Sequence, residues 1–298
     1  MPELIIIGAG VAGISCAIYA KRANLDFLIF EKGLVGGQLN LIPKIDNFPG
    51  FKEISGHQLI ERLKEHLKAL EIKINTEEVK SLKKENEFFR VETDKKTYFS
   101  KSVVVATGSV ERKLGIEGEE EFLGKGVSYC AICDGYFFKD KYVCVIGGGN
   151  TALESALYLS NLAKKVYVIH RRNRFRGFES LARQIAEKNN IEVIFNHILL
   201  KIKGTQVVES VFIKDTQTQS VKELPVDGVF VCVGRKGVTE FVDKSLIETD
   251  PLGFIKEAKT SGFFFCGDVI SKPHRQIGLS LGEGIQAFFK AYEFLRGF

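Results

Sequence analysis

Two glycine-rich turns, each directly after a short apolar run, constrain this chain more than any other feature. The first is Gly8-Ala9-Gly10-Val11-Ala12-Gly13, and the second is Gly147-Gly148-Gly149-Asn150-Thr151-Ala152. In such a turn the first glycine permits a sharp change of direction, and the second admits a pyrophosphate close to the backbone. The third position lets the next helix pack on the strand. Free N–H groups at the start of that helix favour an anion. The pattern predicts two strand–turn–helix units, each able to bind a dinucleotide.

The two units differ in the residues that come after the next strand. In the first, an apolar strand at 27–30 ends in Glu31, eighteen residues after Gly13, where a ribose-binding carboxylate belongs. In the second, the strand at 166–169 is followed by the basic run from His170 to Arg176. Arginines at this point can hold a 2′-phosphate, which a carboxylate would repel. The alternatives are a glycine-rich helix entry without ligand and a solvated basic turn.

A dithiol motif precedes the second glycine turn. It reads Cys130-Ala131-Ile132-Cys133-Asp134, and fourteen residues separate Cys133 from Gly147. One thiol of such a pair can have a depressed pKa. A carboxylate beside it can protonate a departing thiolate if burial raises the carboxyl pKa. An isolated motif of this kind can also be half of a zinc site or two buried thiols, but no second CxxC or His pair lies at zinc spacing. Together with two dinucleotide sites, it indicates electron flow from a nicotinamide through a flavin to a disulfide.

Composition limits the class of protein. The chain has 298 residues, enough for two domains, and 45% of them are hydrophobic. A net charge of +5 is too small to indicate nucleic-acid binding. No apolar run reaches the roughly 20 residues of a membrane span, and no signal peptide is evident. Cys16, Cys144, Cys232 and Cys266 lie in apolar or glycine-flanked runs and are interpreted as small buried hydrophobes, which fits a reducing cytoplasm.

The remaining segments are assigned by periodicity and turn residues. Helices are predicted at 54–70 and 277–295, a small hairpin at 88–99, and buried strands at 103–106, 191–194, 207–213, 229–233 and 263–266. Side-chain amides in the loops at 35–39 and 45–50 suit the edge of a flavin ring, although generic turns fit these loops equally well. Gly267-Asp268 ends a strand where an acid can accept a hydrogen bond from a ribityl hydroxyl. Crossings between domains are predicted at 111–125 and 235–240.

These motifs together resemble the low-molecular-weight, bacterial-type thioredoxin reductases over essentially the whole chain. The markers are GAGVAG at Gly8, GGQL at Gly36, NFPG at Asn47, ATGS at Ala106, CAICDG at Cys130, GGGNTA at Gly147, HRRNRFR at His170, GDV at Gly267 and RQ at Arg275. The resemblance implies an α/β fold of two Rossmann-like, three-layer ββα domains, with an NADPH domain inserted into an FAD domain. The expected boundaries are 1–111 and 238–298 for the FAD domain and 112–237 for the NADPH domain.

The resemblance also implies the cofactors and their contacts. For FAD it implies Gly8, Gly10, Ala12, Gly13, Glu31, Gly37, Gln38, Leu39, Asn47, Val79, Thr107, Gly108, Gly267, Asp268, Arg275 and Gln276. For NADPH it implies Gly149, Asn150, Thr151, His170, Arg171, Arg172, Arg176 and Gly234. No metal is expected.

The implied mechanism runs from NADPH to FAD and from reduced FAD to a Cys130–Cys133 disulfide. Cys133 resembles the thiol that faces the flavin, Cys130 the thiol that attacks thioredoxin, and Asp134 the acid that supplies the proton. Exchange with the partner runs through a mixed disulfide. The expected partner is thioredoxin or a similar small disulfide protein, and the expected assembly is a homodimer.

Three other functions compete with this one. A flavoprotein that reduces a peroxiredoxin is expected to carry an extra N-terminal dithiol domain, whereas this chain starts directly at its FAD strand. A glutaredoxin-like protein in place of thioredoxin is an alternative partner that the motifs do not distinguish. An NADP–ferredoxin-type oxidoreductase uses no disulfide, so the intact motif from Cys130 to Asp134 argues against it. A non-enzymatic nucleotide-binding protein would not need all three sites.

Overall fold

The computed structural model describes residues 1–42 and 44–298, and the chain divides into two compact units. The end unit consists of both chain ends, Met1–Val110 and Lys236–Phe298, and the inserted unit consists of Glu111–Arg235. The sequence predicts unit boundaries after residues 111 and 237. In the structure the boundaries fall after residue 110, one residue earlier, and after residue 235, two residues earlier. No helix in the described residues is both long enough and apolar enough to cross a membrane.

The first segment of the end unit starts with a strand, a glycine turn and a helix. Its elements are β1 (Leu4–Ile7), α1 (Val11–Arg22), β2 (Phe27–Glu31), α2 (Gly56–Ala69), β3 (Ile74–Thr76), β4 (Val79–Glu85), β5 (Phe88–Thr93), β6 (Thr97–Ser100), β7 (Ser102–Val105) and β8 (Ser109–Glu111), whose last residue is the first of the inserted unit. A 3₁₀ turn at Gly37–Leu41 lies where only a loop is predicted. Helix α2 begins at Gly56 because Ser55 and Gln58 form a capping box.

The inserted unit repeats this plan, and the chain then returns to the end unit. The inserted elements are β9 (Val127–Ser128), α3 (Ala131–Asp134), β10 (Tyr142–Ile146), α4 (Asn150–Ser160), β11 (Lys165–His170), α5 (Glu179–Ala186), β12 (Ile191–Phe195), β13 (His197–Gly204), β14 (Val208–Asp215), β15 (Val221–Pro225) and β16 (Gly228–Val231). The returning elements are β17 (Arg235–Gly237), β18 (Ile247–Thr249), β19 (Ile255–Ala258), β20 (Phe263–Phe265) and α6 (Ile277–Arg296).

Each unit is built on a five-stranded parallel sheet. The strand order is β20-β7-β1-β2-β3 in the end unit and β12-β11-β10-β16-β9 in the inserted unit. Every neighbouring pair in both sheets is parallel. The two glycine turns therefore follow the central strands, β1 and β10, where ligands of open parallel sheets bind.

Side chains of each central strand point alternately to the two faces of its sheet, and each face is covered by a different layer. Each unit therefore has three layers. Leu4 and Ile6 pack with α1 and α6 on one face of the sheet, and Ile5 and Ile7 pack on the other face with β4 and β5. Along β10, Val143 and Val145 pack toward α4 and α5, while Cys144 and Ile146 pack toward β13 and β14. Successive side chains of a strand point to opposite faces, so a fully apolar strand must be covered on both. The predicted pair of three-layer, Rossmann-like domains is confirmed.

The antiparallel layers contain strands that the sequence analysis missed. Strands β4, β5 and β6 form one three-stranded sheet, where a two-stranded hairpin is predicted, and β13, β14 and β15 form another. In β4 the pairing shifts between Val79 and Ser81, so its buried residues, Val79 and Leu82, are three apart and break the two-residue period. The pairing of β13 with β14 shifts in the same way between Leu199 and Lys201. Most of β15 is exposed, which removes its apolar signal.

Two glycines of α6 provide a test of how closely the helices of the end unit pack. A Cβ at Gly284 would overlap the carbonyl oxygen of Ala12 in α1, whereas a Cβ at Gly282 would meet no described atom within 4 Å. We expect Gly284→Ala to lower the free energy of unfolding by about 2–3 kcal/mol or more, because a backbone must shift in a packed core. Gly282→Ala should raise it by up to about 1 kcal/mol through helix propensity. Chemical unfolding of both variants measures the difference, and equal effects would contradict the packing described.

Candidate functional site

A cavity of about 370 Å³ opens beside the glycine turn of the end unit. Five residues predicted to contact FAD line it, namely Gly8, Glu31, Gln38, Val79 and Thr107. Lys32, Lys80, Val238 and Glu240 also line it, although the sequence analysis assigned them no role. The cavity lies at the carboxyl ends of β1 and β2, as the topology of a parallel sheet requires.

Three of these side chains are held by backbone groups. Glu31 accepts the N–H of Ala9 at 2.8 Å and that of Gly33 at 2.9 Å, so its carboxylate is fixed at the end of β2. Gln38 donates to the carbonyl of Ser109 at 3.0 Å, and the Thr107 hydroxyl donates to the carbonyl of Val238 at 2.7 Å. The polar wall of the cavity is therefore preorganised.

The other residues predicted for FAD are not among the described residues that line this cavity. They are Gly10, Ala12, Gly13, Gly37, Leu39, Asn47, Gly108, Gly267, Asp268, Arg275 and Gln276. Several nevertheless meet around the start of α1. A Cβ at Gly37 would lie 3.4 Å from the Cα of Gly10, and one at Gly267 would lie 2.8 Å from the Cβ of Ala12. Asn47 donates to Gln276 at 3.1 Å. Leu39 is 2% exposed and belongs to the apolar core.

Hydrogen bonds fix the loop after β20. Ser280 donates to Asp268 at 3.2 Å, and the N–H of Gly267 donates to Glu283 at 3.0 Å. Arg275 donates to three backbone carbonyls of its own loop, and its guanidinium lies 3.9 Å from the ring centre of Phe254. The Arg275 side chain therefore stabilises the conformation of this loop.

A second cavity, of about 320 Å³, opens beside the glycine turn of the inserted unit. Its lining includes seven of the eight residues predicted for NADPH, which are Gly149, Asn150, Thr151, His170, Arg171, Arg176 and Gly234. Arg172 is not among the described residues that line it. Arg112, Lys113 and Arg235 add positive charge to the wall. Arg235 forms an ion pair with Glu111 at 2.6 Å. The cavity suits a polyanionic ligand.

His170 is an unusual member of this lining. Its side chain is only 4% exposed, and within the described part of the chain its Nε2 has no hydrogen-bond partner. A Cβ at Gly148 would lie 2.5 Å from its Nδ1, so the ring packs directly on the glycine turn. Burial lowers the pKa of His170, and the nearby Arg176 lowers it further. A neutral imidazole with an unsatisfied nitrogen can form a hydrogen bond with a polar group of a bound ligand.

The dithiol of the inserted unit is closed. Cys130 and Cys133 form a disulfide with their Cα atoms 5.3 Å apart, at the first turn of α3. Cys133 is exposed and Cys130 is half-buried. The N–H of Cys133 donates to the Sγ of Cys130 at 3.2 Å. A backbone N–H directed at a sulfur favours the thiolate form of that sulfur.

Two networks hold the residues before the dithiol. Ser128, buried at the end of β9, bonds to the N–H of Cys130 at 2.9 Å and to Asp134 at 2.6 Å. The Tyr129 hydroxyl donates to Glu119 at 2.9 Å. Burial raises the pKa of Tyr129, and the bond to Glu119 raises it further. The buried Glu119 carboxylate also accepts the N–H groups of residues 114 and 115, at 2.9 and 2.7 Å.

Sequence reasoning missed Ser128, Glu119, Arg112 and Lys113. Ser128 could have been found because it ends a short strand two residues before Cys130. The other three lie in the charged stretch 111–125, for which the sequence predicts only a crossing between domains. Their roles depend on the path that the folded chain takes, which no local pattern reveals.

The chain is similar to known proteins both in sequence and in structure. The family model for pyridine nucleotide-disulphide oxidoreductases matches residues 2–284. Thioredoxin reductase of Treponema pallidum (strain Nichols) is 40% identical over 299 residues, which cover 98% of this chain and 97% of that protein. The crystal structure of Lactococcus lactis thioredoxin reductase matches with a TM-score of 0.94 at 36% identity, covering 100% of both chains. That of T. acidophilum thioredoxin reductase matches with 0.88 at 35% identity, covering 98% of both.

The four remaining cysteines differ from the dithiol in environment. Cys16, Cys144 and Cys266 are buried, and Cys232 is partly exposed in the lining of the inserted unit's cavity. Burial raises the pKa of all four thiols, to about 11 for Cys232 and further for the others. Their interpretation as small buried hydrophobes fits these surroundings, and Cys232 is the least enclosed.

These raised pKa values predict a pH dependence of stability. Above about pH 8.5 the thiols of the unfolded chain ionise while the buried thiols keep their protons, so stability is complete below that pH and falls as pH rises. Each thiol contributes up to about 1.4 kcal/mol per pH unit. We expect Cys144→Ala to flatten the fall in unfolding free energy between pH 8.5 and 10. Val143→Ala, a matched truncation on the same strand, should lower stability without changing the slope. Identical slopes in wild type and Cys144→Ala would contradict this prediction.

Proposed function

Because the chain belongs to the pyridine nucleotide-disulphide oxidoreductases, and within them to the thioredoxin reductases, we propose how its residues divide the work of an NADPH-dependent flavoprotein disulfide reductase. The observation that carries the proposal is the Cys130–Cys133 disulfide, followed by Asp134, in the same unit as a basic, glycine-edged cavity. The substrate is the disulfide of thioredoxin or of a thioredoxin-like protein.

FAD is assigned to the end unit and NADPH to the inserted unit. When bound, NADPH supplies a hydride, and FAD passes the two electrons to the disulfide. Two features of the structure fit these groups. A Cβ at Gly10 or at Gly149, the second glycine of each GxGxx(G/A) fingerprint, would meet no described atom within 4 Å, which leaves room for a pyrophosphate. The unpartnered Nε2 of His170 offers a hydrogen bond in the inserted unit's cavity.

The Glu31 carboxylate is assigned a contact with a sugar, and two arginines are assigned contacts with a phosphate. Glu31, fixed by two backbone N–H groups, retains lone pairs for the hydroxyls of a ribose. Arg171 and Arg176, both in the lining of the cavity, hold the 2′-phosphate of NADPH. Arg172 is the weakest member of the predicted set, because the described cavity lining does not include it.

The dithiol and its neighbouring acid carry the exchange chemistry. Cys130 is assigned as the thiol that attacks the partner, because the N–H of Cys133 is already directed at its sulfur. Cys133 is assigned as the thiol that receives electrons from the flavin. Asp134 is assigned as the group that delivers a proton to the departing sulfur.

The surface around the dithiol favours a protein partner. Tyr136 and Phe137, in the 3₁₀ turn after Asp134, are 71% and 72% exposed, and Ile132 between the cysteines is 40% exposed. Large apolar side chains in contact with water mark interaction sites. A small disulfide protein with an apolar surface around its own cysteines is the partner that fits.

Assembly and location are also proposed. Large apolar side chains of the end unit are exposed, including Leu34, Leu41, Phe51, Leu279 and Phe289. A homodimer is proposed as the assembly that would remove these side chains from water. A reducing cytoplasm is proposed because it would keep the four free cysteines reduced.

A turnover assay tests the cysteine assignments. We expect Cys130→Ser and Cys133→Ser each to abolish reduction of thioredoxin by NADPH, because neither can close the disulfide. Reduction of the bound flavin by NADPH, followed by its absorbance, should continue in both. Cys144→Ala, which removes a buried thiol that forms no disulfide, should keep at least half the activity. Full thioredoxin reduction by either serine variant would refute the assignments.

A second assay tests the arginines. We expect the double variant Arg171→Ala/Arg176→Ala to raise the KM for NADPH by about tenfold or more, since each charge-assisted hydrogen bond contributes roughly 1.5–3 kcal/mol. The KM for NADH, which lacks the 2′-phosphate, should change little. Arg174→Ala is the matched control, because Arg174 lies in the same basic run but not in the described lining of the cavity. An equal rise for both nucleotides would show that the arginines do not recognise the 2′-phosphate.

A further inference from the structure

Ser128 stands between the rigid sheet of the inserted unit and its dithiol. It is the last residue of β9, which pairs with β16 so that Ser128 lies opposite Phe230. Its side chain is 4% exposed. The chain then leaves the sheet, and Cys130 follows two residues later. Ser128 is thus the last point before the dithiol at which the backbone is fixed by a sheet.

The Ser128 hydroxyl has three neighbours within hydrogen-bond distance. It accepts the N–H of Cys130 at 2.9 Å. Its oxygen lies 2.6 Å from Oδ2 of Asp134 and 3.2 Å from the carbonyl oxygen of Cys130. A hydroxyl has one proton to donate, so it can donate to the carboxylate or to the carbonyl, but not fully to both.

The two directions in which the Ser128 hydroxyl can donate correspond to the two protonation states of Asp134. When the carboxylate is ionised, the hydroxyl donates to Oδ2 across the short 2.6 Å distance. When the carboxyl is protonated, its O–H donates to the serine oxygen, and the serine proton turns to the carbonyl of Cys130. The carboxyl group is hydrogen-bonded in both states and need not move between them.

We propose that Ser128 is the positioning residue of the proton-transfer step, holding the Asp134 carboxyl in one place before and after it gives up its proton. The inference rests on the proposed role of Asp134. In that step the Cys130–Cys133 bond breaks as the disulfide takes up the two electrons that NADPH supplies by way of FAD, and the Cys133 sulfur is left as a thiolate. The Cys130 sulfur departs and takes the carboxyl proton of Asp134, and the remaining carboxylate takes a proton from solvent.

A purely structural role for Ser128 gives a different expectation. The bond from the N–H of Cys130 shapes the loop before the dithiol whether or not Asp134 is present. If that bond were the whole contribution, removing the hydroxyl would disturb the dithiol independently of Asp134. A double-mutant cycle separates the two cases, because residues that act through one another have non-additive effects.

The experiment uses the full-length enzyme loaded with FAD and four variants, Ser128→Ala, Asp134→Asn, the double variant and Ser128→Thr. Rapid mixing with NADPH measures flavin reduction first and the later transfer to the disulfide separately. We expect Ser128→Ala to slow the disulfide step about tenfold and leave flavin reduction unchanged. When Asp134→Asn is already present, adding Ser128→Ala should slow the disulfide step by less than about twofold. Ser128→Thr, which keeps the hydroxyl, should recover most of the rate.

Ser210→Ala is the matched control. Ser210 is also buried on a strand of the inserted unit, and its hydroxyl donates to Glu223 at 2.6 Å, but it lies in the antiparallel layer on β14. It should leave the disulfide step unchanged. A solvent deuterium isotope effect on that step should grow in Ser128→Ala, because proton transfer then limits the rate more strongly.

The possible outcomes are distinct. Additive losses in the double variant, or an isotope effect that does not change, would overturn the positioning role of Ser128. An Asp134→Asn variant with a normal disulfide step would instead overturn the proposed role of Asp134 itself. If Ser128→Ala does not fold, Ser128→Cys keeps a similar volume with a weak S–H donor, and the same cycle with Asp134→Asn applies to it.

Discussion

The close approach of one backbone to another at the end of each central strand determines the rest of this structure. Gly8 has φ +107°, and a Cβ there would lie 2.5 Å from the carbonyl oxygen of Ala106, just after the neighbouring strand β7. Gly147 has φ +150°, and a Cβ there would overlap the carbonyl oxygen of Cys232, just after the neighbouring strand β16. Only glycine accepts both the conformation and the contact. The two turns, the helices after them and the two cavities all depend on these positions.

The duplicated plan was predictable because its determinants are local. Each glycine turn, the apolar strand before it and the helix after it occupy fewer than thirty residues, and their periodicity is regular. The dithiol and the basic run beginning at His170 were likewise visible as continuous motifs. The antiparallel layers were only partly predictable, because the register shifts in β4 and β13 break the alternation on which a strand assignment rests.

Residues that support the site without belonging to a sequence motif were the least predictable. Glu119 contacts residues 114, 115 and 129 through a buried carboxylate, yet in sequence it is one acid among several in a charged segment. The cavity of the inserted unit draws on Arg112, Lys113 and Arg235, which come from the two crossings and not from the basic run. Conversely, the absence of Arg172 from the described lining follows from the path of the loop after β11, which sequence spacing does not specify.

The seclusion of the free thiols has a consequence for the lifetime of the protein. An enzyme that makes and breaks disulfides exposes its own cysteines to the same exchange, and a wrong internal pairing would trap it in an inactive form. Exchange requires a thiolate, and with a pKa of about 11 Cys232 is ionised in on the order of one molecule in ten thousand near pH 7. The three fully buried thiols are ionised still more rarely. The fold thereby confines exchange to one cysteine pair, and the chain can turn over repeatedly without shuffling its own sulfurs.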